Sequence, residues 1–146
     1  MMTGLEYQHK AISTSERLGV SIVDILSAIA DDKSLALFNT IAIARGDSDI
    51  LITRLDVTRK QYYSRISALM KAGLISRKDR QYTLTSLGKI VYDVQLMIGR
   101  ATNTYWKLKA IDSIETTHQL AAEERNNIIN TLIDDPEIIK ILVKQS

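Results

Sequence analysis

Thr58 and Gln61 stand three residues apart at the head of an apolar-periodic run, and Gly73 stands at its foot. The spacing predicts a capping box, in which a threonine hydroxyl and a glutamine carboxamide satisfy two backbone N–H groups that a helix start leaves unpaired. Glycine suits the left-handed conformation that follows a helix C-terminus. A helix over about 58–72 is thereby bounded at both ends. Its apolar stripe is Tyr62, Ile66, Leu69 and Met70, expected to pack on a core. The opposite face carries Lys60, Gln61, Ser64, Ser67, Ala68 and Lys71, and Arg59 and Tyr63 flank the stripe. Taken alone, such a face reads equally well as a solvated helix surface.

The flanking segments add context. Ser48 or Asp49 can cap a short helix over about 50–55, with Ile50, Leu51 and Leu55 facing inward. A strand through Ile50-Leu51-Ile52 competes with that reading, because a short apolar run does not separate the two. Asp56-Val57 is the expected turn, with Val57 between the helices. Beyond Gly73, residues 74–77 and 81–84 alternate as strands do, and Lys78-Asp79-Arg80 is the expected turn between them. Aspartate tolerates the positive φ that tight hairpins need. Thr85 or Ser86 then caps another helix.

Charge is distributed unevenly. The chain carries a net +2, yet nine basic and two acidic residues fall between Arg54 and Lys89, a local +7 that leaves −5 for the remainder. Short helix, turn, capped helix and basic hairpin are the order of a module that sets its second helix in the DNA major groove. The helix face supplies the donors that base edges require, and Arg77, Lys78 and Arg80 at the hairpin suit phosphates or the flanking minor groove. An acidic protein partner is the competing use of such a patch.

The run Leu55-Asp56-Val57-Thr58-Arg59-Lys60-Gln61-Tyr62-Tyr63-Ser64-Arg65-Ile66, followed by Leu69, Ala72-Gly73-Leu74-Ile75, Tyr82-Thr83-Leu84-Thr85 and Gly88, resembles winged-helix transcriptional regulators. It is similar to the ArsR-like and MarR-like groups and to archaeal regulators of that general type. The likeness spans about Val20 to Val94, including the opening stretch from Ile25 to Phe38. It implies a mainly α fold with a small β-hairpin wing, a winged helix-turn-helix with a C-terminal helical extension. By the same likeness Arg59, Lys60, Gln61, Tyr63 and Ser64 occupy base- and phosphate-contacting positions, and Arg77, Lys78 and Arg80 occupy the wing. Many ArsR-like regulators sense metals through cysteine, and this chain has none. The fold hosts many functions, so the regulated pathway does not follow from it.

At 146 residues with 45% hydrophobic content, the chain suits one domain with an extension. The expected division is an N-terminal arm or short helix over 1–19, a DNA-binding domain over 20–96 and a helical dimerisation region over 97–146. The absence of cysteine excludes disulfides and thiol sensing. No apolar run is long enough to span a membrane and no signal-peptide pattern opens the chain, so a cytoplasmic location is the expectation. The sequence shows no phosphate-binding glycine loop, nucleophile elbow or paired-carboxylate motif, which argues against an enzyme and against a bound cofactor. His9 and His118 are far apart, and Glu115 with His118 offers two metal ligands at most.

Elsewhere the chain reads as helical. Val20, Ile22, Val23, Ile25, Leu26 and Ile29 pattern one helix, and Asp31 or Asp32 caps the next, whose Leu35, Leu37, Phe38, Ile41 and Ile43 are core candidates. Arg45-Gly46-Asp47-Ser48 is expected to close it. From Leu87 through Ile90, Val91, Val94, Met97, Ile98, Ala101, Tyr105 and Leu108 the apolar spacing continues at three and four, towards about Ile114. A stripe of that length must be covered, either by the same helix of a second copy or by the last two helices folding back. The first reading makes a homodimer, with paired helices suited to two half-sites. Ala121 to Ile133 is a further helix, and Asp134-Asp135-Pro136-Glu137 marks a restart before a final apolar helix. That last helix also suits a partner protein's groove. Met97, Tyr105 and Trp106 are candidates to line a small-molecule effector pocket, with core packing the alternative.

Overall fold

The computed structural model describes residues 19–43 and 48–144, the side chains of Ser48 and Asp49 excepted. The expected N-terminal arm or short helix up to residue 18, His9, the closing Arg45-Gly46-Asp47 and the capping role of Ser48 or Asp49 lie outside these residues. The chain divides into two compact units after Tyr92.

The first unit begins with α1 (Ile22–Ala28), capped by Ser21 in a box with Asp24. Seven residues make two turns, and the edge at Ile25, Ala28 and Ile29 faces the core. Ile22, Val23 and Leu26, which belong to the same apolar pattern, are exposed. Asp31 caps α2 (Asp32–Ile43): its carboxylate accepts the Ser34 N–H at 2.9 Å and the Ser34 hydroxyl at 2.7 Å. Leu37, Phe38 and Ile41 are buried. Ile43, placed in the core by the sequence pattern, is the last residue of α2 and is exposed.

The short apolar run is helical, giving α3 (Ser48–Leu55). Leu51 is buried and Ile52 and Leu55 pack beside it, whereas Ile50, expected inside, is exposed. The α3 C-terminus is closed from a distance: Lys33 Nζ donates to the Leu55 carbonyl at 2.7 Å. Asp56 makes the turn at φ 52°, and Val57 packs on the core.

Next comes α4 (Arg59–Lys71) with both halves of its capping box formed. It ends in a Schellman arrangement: Leu74 N–H donates to the Leu69 carbonyl and Gly73 N–H to the Met70 carbonyl, both at 3.0 Å, with Gly73 at φ 76°. β1 (Ile75–Lys78) and β2 (Gln81–Leu84) pair antiparallel, with Ile75 opposite Leu84 and Lys78 opposite Gln81. The turn is therefore Asp79-Arg80, with φ of 52° and 66°, and Lys78 belongs to the strand rather than to a three-residue turn. Two left-handed residues give the turn whose twist matches that of paired strands.

Thr85 joins these parts. Its hydroxyl donates to the Gly73 carbonyl at 2.5 Å and accepts the Gly88 N–H at 2.9 Å, capping α5 (Ser86–Asn103). Tyr62, Phe38, Leu37, Leu69 and Leu74 are fully buried at the centre of the unit, and Phe38 meets Tyr92 edge-to-face at 6.3 Å.

The second unit, from Asp93, contains the end of α5 and three further helices: α6 (Tyr105–Thr117), α7 (Ala122–Leu132) and α8 (Pro136–Lys144). The apolar spacing predicted an unbroken helix to about Ile114, yet the helix stops at Asn103. Thr104 leaves helical geometry at φ −106°, ψ 20°, and the Thr102 and Thr104 hydroxyls donate to the Gly99 and Ala101 carbonyls at 2.7 and 3.0 Å. Such back-bonding competes with helix continuation. Ile111, Ile129, Ile133 and Ile138 form a small core with Ala101, Leu108 and Leu142 against it. The C-terminal helices thus cover the far end of the apolar stripe within one chain. Arg125 ties the three helices, pairing with Glu115 and donating to the Leu142 carbonyl at 3.0 Å. Asp135 caps α8, accepting the Glu137 and Ile138 N–H groups, and is paired with Arg100 at 2.6 Å. Among the described residues, no helix is long and apolar enough to cross a membrane.

Candidate nucleic-acid interface

The first unit has the parts of a winged helix-turn-helix: α3, the Asp56 turn, α4 and a two-stranded wing. α4 is held by one face only. Tyr62, Ile66 and Leu69 are buried on the shared core, while Arg59, Lys60, Gln61, Tyr63, Ser64, Ser67, Ala68 and Lys71 are exposed. Met70, expected in the buried stripe, is 43% exposed, because the core contact at the helix end passes to Leu69 and Ala72. Tyr63 lies edge-on to Tyr62 at 5.1 Å, an aromatic contact that orients its ring.

Arg65 separates from the other cations. Its guanidinium reaches Asp31 at 3.3 Å, so it joins α4 to the start of α2. The Asp31 carboxyl is held below its ordinary value of 3.8, first by the Ser34 N–H, then by the Ser34 hydroxyl, with a smaller contribution from Arg65. Among the described residues, Lys60, Lys71, Arg77, Lys78 and Arg80 make no ion pair. Among the described residues these five cations, on one helix and the adjoining hairpin, outnumber the one acid of the wing turn, Asp79, and give a local positive potential.

Within the wing the cations divide. Side chains alternate along a strand, so Arg77 shares the face of Ile75 and Tyr82, while Lys78 points to the other side. Ile75, Tyr82 and Leu84 are the residues that this hairpin packs on the core. Arg80 extends from the turn itself. The wing therefore offers cations on both faces and at its tip, an arrangement that spacing along the sequence does not reveal.

Beside the C-terminal half of α4, Ala68, Lys71 and Ala72 line an open groove of about 360 Å³ with Gly19, Asp24, Ser27 and Ala28. The α1 edge of this groove has no signal in the sequence, since it depends on how α1 lies against α4.

In the second unit, Tyr105 and Trp106 meet edge-to-face at 5.3 Å and are both exposed, so these two candidate pocket residues form an outward-facing pair. Glu115 is engaged by Arg125, and His118 follows the end of α6. Among the described residues, no group of three or more histidine, cysteine, aspartate or glutamate side chains could hold a metal ion.

No family model matches the chain, and no curated protein matches it. Among solved structures, NolR from Sinorhizobium fredii is similar at 17% identity, over 68% of this chain and 96% of that one, with a TM-score of 0.46.

Proposed function

We propose that this protein binds double-stranded DNA as a homodimeric, sequence-specific transcriptional regulator. The observation that carries the reading is the outer face of α4. A capped helix is fixed to the core by Tyr62, Ile66 and Leu69 and presents small, hydrogen-bonding and cationic side chains to solvent. Small residues let a helix sink between phosphate ridges, and Lys, Arg and Gln supply donors for base edges. In this reading Arg59, Lys60, Gln61, Ser64 and Ser67 face the major groove. Tyr63 and Lys71 reach the backbone, and Arg77, Lys78 and Arg80 of the wing hold phosphates or the adjacent minor groove.

Dimerisation has its own support. Ile90, Val94 and Ile98 follow one another at four-residue spacing on α5 and are 63%, 46% and 57% exposed. An apolar face of this kind on a long helix is suited to the same face of a second copy. Two copies would set two α4 helices against successive half-sites.

The test is fluorescence anisotropy with mixed-sequence duplex DNA at two salt concentrations. Binding should weaken steeply as salt rises, because each neutralised phosphate releases counterions. Replacing Arg80 by alanine should weaken all sequences about equally, whereas replacing Gln61 should alter sequence preference. Salt-insensitive or undetectable duplex binding would remove the proposal in favour of a module that docks on an acidic protein.

A further inference from the structure

The capping box commits one end of the Gln61 side chain. Its Oε1 accepts the Thr58 N–H at 3.0 Å, and the Gln61 N–H donates to the Thr58 hydroxyl oxygen at 3.1 Å. A backbone N–H can be met only by the oxygen of a carboxamide, so the two ends of this group are not interchangeable. Oε1 keeps a second lone pair, but that oxygen is held back at the helix start, and the end left free is Nε2, which can only donate. Gln61 lies in the exposed first turn of α4, the part of a recognition helix that reaches base edges.

A glutamine whose whole amide edge faces the groove reads adenine with two bonds, accepting from N6 and donating to N7. Here the oxygen is turned back towards the helix start, and that two-atom edge is not presented. We infer that Gln61 is a specificity-determining residue of the single-donor kind. On the contacted strand it favours a base with a major-groove acceptor, namely guanine O6 or N7, adenine N7 or thymine O4. It disfavours cytosine, whose N4 amine would face another donor. This inference rests on the duplex binding proposed above. One hydrogen bond supports a preference of roughly three- to tenfold at that position.

The test is a Gln61→Glu substitution. Glutamate serves a capping box as well as glutamine does, so one carboxylate oxygen keeps the bond to the Thr58 N–H. The second oxygen then stands where the donor stood. Wild type and variant are each used to enrich sequences from a random duplex pool at low salt, and their thermal midpoints are compared. The expected result is a motif in which one position loses guanine and thymine and gains cytosine, by roughly three- to tenfold, while adenine, which carries both the N7 acceptor and the N6 amine, is kept. The other positions are retained and the thermal midpoint is not lowered. An unchanged motif, a wild-type position restricted to adenine, or loss of all duplex binding by the variant overturns the inference. A wild-type protein that enriches no motif overturns the DNA reading on which the inference rests, and is told apart by the wild-type arm alone.

Discussion

A Cβ atom on Gly88 would lie 2.0 Å from the carbonyl oxygen of Leu74. The first turn of α5 therefore runs directly against the backbone that enters the wing. Thr85 secures the approach, its N–H donating to that same Leu74 carbonyl at 3.1 Å and its hydroxyl bridging Gly73 and Gly88. The motif joining Ala72-Gly73-Leu74-Ile75 to Tyr82-Thr83-Leu84-Thr85 and Gly88 is thus scaffold, fixing the wing relative to α4.

Gly88→Ala should destabilise the first unit by roughly 2–3 kcal/mol, since the clash is with backbone that cannot rotate away. Gly99 is the internal comparison, because a Cβ there meets nothing within 4 Å. Gly99→Ala should raise stability by about 0.5–1 kcal/mol through helix propensity. Urea unfolding of both variants reads the difference, and two effects of the same sign would contradict the packing described.

Arg80→Gly, which leaves an Asp-Gly turn, should stabilise the hairpin, because Arg80 at φ 66° occupies a region costly to side chains with a Cβ. The gain should be about 1 kcal/mol in thermal or urea unfolding. The same change removes a cation, so duplex affinity should fall and the slope of log affinity against log salt should flatten by about 1. A stabilised variant with an unaltered slope would take Arg80 out of the interface.

Asp31 gives a pH prediction of definite sign. Its folded-state pKa is depressed below 3.8, so its stabilising effect is present above the unfolded value and is lost as pH falls through the folded one. Asp31→Asn should therefore be less stable than wild type near pH 6, with the gap narrowing below about pH 3. Urea midpoints of the pair at the two pH values decide it. A constant gap would mean that the carboxylate charge does not contribute.

Val94→Asp or Ile98→Asp should abolish the proposed dimer while sparing the monomer, because both side chains are already exposed. Sedimentation velocity should show wild type at twice the mass of either variant. Equal masses for all three would exclude α5 as the dimer contact.

Trp106 and Met70 mark where periodicity ceases to be informative. Spacing places apolar residues on a helix face, but it does not say whether another element arrives to cover that face. Trp106 is exposed because α6 buries the Leu108 and Ile111 edge instead. The break at Thr104 was also hidden, since threonine back-bonding is a small local effect that apolar spacing overrides in the sequence pattern.

The order of residues alone settled what is local: the Thr58–Gln61 box, the Gly73 terminus, the Asp135-Pro136 restart and the alternation of the wing. Each depends on atoms within a few positions of one another. Tertiary packing decided which cations remain unpaired, because Arg65 finds Asp31 across 34 positions of chain while Lys60 and Lys71 find no acid among the described residues. It likewise decided the need for a bare backbone at Gly88, which arises only when α5 closes on Leu74. Long-range contacts of this sort follow from the sum of the core's packing and leave no signature in neighbouring residues.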